Sequence, residues 1–171
     1  MRKRISALIL IIANGAVNAA TGNLSIVFDL NRPLVLTLNQ QPSFGVLAMD
    51  QSYNSNVTVS LDPSSGLVTS TATGVSPQTG SGAQFGILSV TGQSGKNIAV
   101  VQFPSTIILS NGTSSLNLNV TTSPASSTLN TCLISQTNCS LKLGGSMTFV
   151  PASVTTGSYS GTANITLRYV N

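Results

Sequence analysis

Residues 56–61 read Asn56-Val57-Thr58-Val59-Ser60-Leu61. In an extended chain successive side chains point to opposite faces, so Val57, Val59 and Leu61 share one face and Asn56, Thr58 and Ser60 the other. The stretch predicts a strand with one face in a core and one in a polar setting. The same period of two recurs on either side of it. Leu24, Ile26, Phe28 and Leu30 alternate with Ser25, Val27 and Asp29; Leu34, Leu36 and Leu38 alternate with Val35 and Thr37; Leu116, Leu118 and Val120 alternate with Asn117 and Asn119. Residues 85–91, 98–103 and 147–150 are shorter or apolar on both faces, which fits central strands.

Turn signals separate these runs: Asp62-Pro63-Ser64-Ser65-Gly66, Ser76-Pro77-Gln78-Thr79-Gly80, Ser94-Gly95-Lys96-Asn97, Asn111-Gly112 and Gly144-Gly145. Asn111-Gly112 between apolar runs predicts a two-residue hairpin loop. No window long enough for a helix shows a 3.6 period. Many short strands punctuated in this way predict an all-β fold, a single immunoglobulin-like antiparallel β-sandwich over residues 34–171.

The start of the chain has a different character. Arg2, Lys3 and Arg4 precede a short apolar run, and Val17 and Ala19 stand at the −3 and −1 positions of a cleavage site. This is the layout of a secretory signal peptide, residues 1–19, with the cut after Ala19. The apolar run is well short of the roughly 20 residues that cross a bilayer. The chain is expected to be secreted and to reside at the cell surface. Three of its seven basic residues leave with the signal, so Arg32, Lys96, Lys142 and Arg168 face Asp29, Asp50 and Asp62. A mature chain so nearly neutral has no basic patch for nucleic acid. Charged residues make up 6% of the sequence, so little repulsion keeps copies apart.

Cys132 and Cys139 follow an export signal at a spacing that suits a disulfide closing a small loop. A metal site is not expected, since the chain has no His and no second Cys pair. The chemistry of an enzyme is missing too. There is no His and no Glu, and the three Asp are scattered, whereas acid–base catalysis needs titrating groups in reach of one substrate. Lys96 and Lys142, the only candidate bases for a Ser nucleophile, lie in no recognisable catalytic setting. Lys96 reads as a solvated turn charge, and Gly80-Ser81-Gly82 and Gly144-Gly145 as turn glycines. Tyr53, Phe85, Phe103, Tyr159 and Tyr169 are spread along strands, where they read as core. No enzymatic activity, cofactor or small-molecule substrate is expected. Asn-x-Ser/Thr triplets at Asn23, Asn56, Asn111, Asn119, Asn138 and Asn164 would matter only in a host that glycosylates them.

The most specific stretch is the last: Gly157-Ser158-Tyr159-Ser160-Gly161-Thr162-Ala163-Asn164-Ile165-Thr166-Leu167-Arg168-Tyr169-Val170-Asn171. Tyr159, Gly161, Ala163, Ile165, Leu167 and Tyr169 would share the core face of one strand, with Thr166 and Arg168 outward. This stretch resembles the closing strand of a secreted bacterial family, domain of unknown function 4402. Ile165 and Leu167 stand where that family usually has valines. Ser43-Phe44-Gly45-Val46-Leu47 and Leu143-Gly144-Gly145-Ser146-Met147-Thr148-Phe149-Val150 resemble two further segments of it. More distantly, the closing strand is similar to those of archaic chaperone–usher pilins and spore-coat-protein-U-like domains. That resemblance implies an incomplete immunoglobulin-like fold, completed by an N-terminal strand from a neighbouring subunit. It also implies other copies of the chain, a periplasmic chaperone and an outer-membrane usher as partners. The Cys132–Cys139 pair does not map onto the pilin disulfide.

Residues 20–33 then have two readings. Leu24, Ile26, Phe28 and Leu30 could form a donor strand for another copy, or an ordinary first strand of their own domain, since both need the same alternation. The first makes the chain a structural subunit of an extracellular filament or fimbria. The alternatives are a monomeric cell-envelope adhesin or binding module, and a non-fibrous coat or matrix protein.

Overall fold

The computed structural model describes residues 32–126, 129, 134 and 139–170, all within one unit spanning Asn31–Asn171. The expected signal peptide, the strand at residues 24–30 and Cys132 lie outside the described residues. The fold is all-β and antiparallel, a β-sandwich, as the alternation predicted. Its strands are β1 (Val35–Gln40), β2 (Leu47–Met49), β3 (Val57–Leu61), β4 (Val68–Ser70), β5 (Val75–Pro77), β6 (Gly86–Thr91), β7 (Ile98–Gln102), β8 (Thr106–Ser110), β9 (Ser115–Ser123), β10 (Ser140–Phe149) and β11 (Thr166–Tyr169).

The main sheet is organised around β10. Residues 142–147 of β10 pair with β9, and β9 pairs in turn with β8. On its other edge β10 changes partner, pairing with β6 through residues 140–143 and with β3 through residues 145–149. Outside these lie β1 on β6 and β4 on β3. Gly144 sits at the changeover. A Cβ on Gly144 would strike the carbonyl oxygen of Leu61 and the ring of Pro63, and one on Gly145 would strike the carbonyl oxygen of Asn119. Gly144-Gly145 is therefore no turn, as the sequence had suggested. The two glycines supply room where three strands crowd one backbone.

Two apolar clusters fill the interior. The first joins Val57, Val59 and Leu61 of β3 to Val68, Val75, Met147, Phe149 and Val154. Here the alternation of residues 56–61 is realised in full, with Val57, Val59 and Leu61 buried and Thr58 and Ser60 half-buried. The second joins Val90, Ile98, Leu129, Ile134, Cys139 and Leu141. Burial of such side chains contributes about 1.5–3 kcal/mol each, which makes these two clusters the main source of stability.

Three local expectations differ from the structure. The β8–β9 loop has four residues, 111–114, not two, because the Asn111 side chain accepts from the amides of both Thr113 and Ser114, at 2.9 and 2.7 Å. Residues 98–102 form β7, which pairs with β11 in a separate two-stranded sheet rather than sitting centrally. Its apolar composition reflects an inner end, with Ile98 buried, and an outer end, with Val101 exposed. Ser76 and Pro77 belong to β5, paired with β2, and the turn begins only after them.

Candidate assembly edge

Among the described strands β1 has one partner, β6, in the register Leu36↔Val90 and Leu38↔Leu88. Directly paired residues of an antiparallel ladder point to the same face. Leu36 and Leu38 therefore face the core side, with Val90 and Leu88. Their environments differ sharply: Val90 and Leu88 are 5% and 4% exposed, Leu36 and Leu38 38% and 51%. Along each row the core is full at β6 and β10 and bare at β1. Only Leu34, at the head of the strand, packs against the second cluster. The expectation that Leu34, Leu36 and Leu38 would all lie in a core thus holds for the direction they face, and not for what covers them.

The backbone of β1 is half used as well. Within a strand, a residue's N–H and C=O point to the same side. The Val90 amide donates to the Cys139 carbonyl oxygen at 2.7 Å, toward β10. Val90 and, two residues away, Leu88 thus spend their backbone groups on β10, so bonds between β1 and β6 come from Val35 and Thr37. The N–H and C=O of Leu36 and Leu38 point away from β6, to an edge that is free among the described residues. Beyond Leu38 the register shifts by a bulge at Asn39, whose side-chain Nδ2 donates to Ser89 Oγ at 2.6 Å. No charged residue stands anywhere in Val35–Gln40.

The head of β1 is tied down. Tyr169 Oη donates to the Arg32 carbonyl oxygen and accepts from the Gln93 amide, both at 2.6 Å. The Arg32 amide reaches Gln93 Oε1 at 3.3 Å. These bonds tie Arg32 to the β6–β7 turn and to β11.

The remaining site residues fall as follows. The C-terminal stretch is not one continuous strand. Ser160 bridges Ser110 of β8, and regular pairing resumes only with β11 at Thr166. Tyr159 packs on the first cluster, while Leu167 and Tyr169 pack on the second. Tyr159, Ile165, Leu167 and Tyr169 are all half-buried, and Thr166 and Arg168 are exposed, so the expected sidedness is present over residues 165–169 with shallower burial, whereas Gly161 and Ala163, expected on the core face, are exposed. Of the cysteine pair, Cys139 is buried in the second cluster; Cys132 lies outside the described residues, as do Leu24, Ile26, Phe28 and Leu30.

The two acidic residues among those described, Asp50 and Asp62, are occupied in their own turns. Asp62 accepts from the Ser64 amide at 2.7 Å and from Ser65 Oγ at 2.9 Å. These bonds, with a smaller contribution from Lys142, hold its carboxyl below the ordinary carboxylate range. Asp50 is lowered likewise by the Ser52 hydroxyl and amide. Lys142 Nζ stands 4.5 Å above the centre of the Phe85 ring and donates to the Ser64 carbonyl at 3.4 Å, a cation–π contact that fastens the β3–β4 turn to β10. Among the described residues no cluster of His, Cys, Asp or Glu could hold a metal ion. A recess of about 340 Å³ beside the β8–β9 loop is lined by Ser115, Asn117, Thr148 and Ser153 with Leu116 and Phe149, and it contains no titratable group.

The bare face of β1 is what reading from sequence missed. A strand of alternating leucines looks the same whether its core face is covered or open, and only the order of strands in the sheet separates the two cases. Neither the curated proteins nor the solved structures contain a match to this chain. The model of one family, Domain of unknown function (DUF4402), matches residues 35–169, from the head of β1 to the end of β11, and the chain belongs to that family.

Proposed function

We propose that this protein is a secreted structural subunit of an extracellular filament or fimbria. Copies would join when residues 24–30 of one are donated as a strand to the next. The observation that carries this reading is the bare core face of β1, where Leu36 and Leu38 stay open to water beside buried Val90 and Leu88. A free edge with apolar side chains and no charge is a template for pairing, and monomeric proteins ordinarily blunt such edges with Lys, Pro or a covering loop. Among the described residues nothing guards this edge. The alternation of Leu24, Ile26, Phe28 and Leu30 supplies the kind of strand such an edge accepts. The likeness of the closing strand to archaic chaperone–usher pilins supports the same reading. It implies a periplasmic chaperone and an outer-membrane usher as assembly partners.

The test is electron microscopy and size-exclusion chromatography of the exported mature chain. Filaments or a ladder of oligomers are expected. Deleting residues 20–30, or changing Ile26 and Phe28 to Asn, should leave export intact and abolish assembly. A full-length chain that stays monomeric at every concentration would overturn the reading in favour of an adhesin.

A further inference from the structure

We infer that the seat of the incoming strand is the free edge of β1, with paired backbone hydrogen bonds at Leu36 and Leu38, and that its occupant is residues 24–30 of a second copy of this chain. This rests on the reading above and specifies its surface. Among the described strands, β1 combines two features that are not found together elsewhere. Its outward-pointing backbone groups belong to Leu36 and Leu38, the same residues whose core-face side chains lie bare. A strand pairing there places its own residues opposite Leu36 and Leu38 on the core face. It would extend two rows already begun, Leu36–Val90–Cys139 and Leu38–Leu88–Leu141.

The other edges fit poorly. Strands β2, β4 and β5 have three residues each. The outer edge of β8 is taken by Ser160, with Gly161 pressed against the Ile108 carbonyl. On β7 the core-face residues Ile98 and Val100 already pack in the second cluster, and β11 is four residues long and carries Arg168.

The incoming strand must bring apolar side chains at every second position over about the length of β1. Residues 24–30 do so, with Leu24, Ile26, Phe28 and Leu30. The filament reading above supplies this segment from a second copy, and the test below separates that source from the chain's own strand.

Residue-resolved amide exchange on the full-length mature chain tests this. The assembled protein is compared with the full-length double variant Ile26→Asn/Phe28→Asn. The Leu36 and Leu38 amides should exchange freely in the variant and slow by at least roughly 100-fold on assembly. The Val35 and Thr37 amides, bonded to β6, should be protected in both. A synthetic peptide of residues 23–31 added to the variant should restore the protection at Leu36 and Leu38. Leu36→Asn/Leu38→Asn should block assembly while Ile108→Asn, on the outward face of β8, does not. Assembly with new protection at a different edge would overturn this inference and leave the filament reading standing. Protection of Leu36 and Leu38 in a monomer, independent of concentration, would show the chain's own strand in the seat and overturn it too. If the chain never assembles, the filament reading itself falls.

Discussion

The Tyr169 hydroxyl sits 2.6 Å from the Arg32 carbonyl oxygen, so the last strand of the domain holds the residue that introduces the first. The Tyr169 hydroxyl oxygen also accepts from the Gln93 amide, which closes a three-way junction between β11, the β6–β7 turn and the head of β1. The aromatic ring meanwhile packs on the second apolar cluster. Tyr169→Phe keeps that packing and removes both hydrogen bonds. The variant should lose about 1–2 kcal/mol of stability in urea denaturation, with an unchanged fold by circular dichroism.

Leu167 lies opposite Val100 on β7 and packs into the second cluster. Leu167→Asp would set an unpaired charge against that cluster. Because the site is half-buried, the cost should be about 3 kcal/mol, read as a lowered denaturation midpoint and a reduced yield. The outward neighbour Thr166→Asp should be near neutral in the same assay.

Gly144→Ala tests the partner change on β10. The added methyl meets a backbone carbonyl and a proline ring, neither of which can rotate away as a flexible side chain would. Destabilisation of about 3 kcal/mol is expected by thermal unfolding. Gly80→Ala, where a Cβ meets nothing within 4 Å, is the comparison. Its positive φ of 73° should make it cost only about 1 kcal/mol.

Much of this architecture was legible in the sequence, and the limits have physical causes. Residues 57–61 and 116–120 became the strands their alternation predicted, because both of their faces meet the environment the pattern implies. The turn at residues 62–66 held as well, since Asp62 accepts from the Ser64 amide and the Ser65 hydroxyl within it and Gly66 adopts a φ of 75°. What misled was residue type used for two ends. Glycine serves a turn by its conformational range and a strand by its small size, and Gly144-Gly145 does the second. Apolar content likewise says that a residue belongs against something, without saying that the something is in the same molecule. Leu36 and Leu38 face the core side and are still exposed.

Cys132 and Cys139 are expected to be bridged. Cys139 is buried in the second cluster beside Leu141, where a crosslink would fix the segment leading into β10. Mass spectrometry without reduction should find the chain lighter than the dithiol by two hydrogen atoms. Two thiols open to alkylation in the folded protein would exclude the bridge.

Asp62 gives a pH dependence with a definite sign. Its carboxyl is held below the ordinary range in the folded state, so the stability it contributes is present above the unfolded-state value and lost as pH falls through the folded one. Asp62→Asn keeps an acceptor for the Ser64 amide and cannot titrate. The thermal midpoint of the variant should therefore fall less than that of the wild type on acidification from neutral pH. Equal slopes for the two proteins would assign the acid sensitivity elsewhere.

The central place of β10 also sets an order in time. A chain is made from its N-terminus, yet β3 finds its main partner only when residues 145–149 arrive, with Val57 pairing to Phe149 about ninety residues later. Both apolar clusters draw side chains from β10, so neither can close before it. Pairings so distant in sequence form slowly, because the loop must be closed before any contact rewards it. For most of its synthesis this chain therefore carries Val57, Val59, Leu61, Leu88 and Val90 unprotected. A partner that bound the chain in that interval would have to cover β3 and β6, and could let go once β10 has paired with them and with β9.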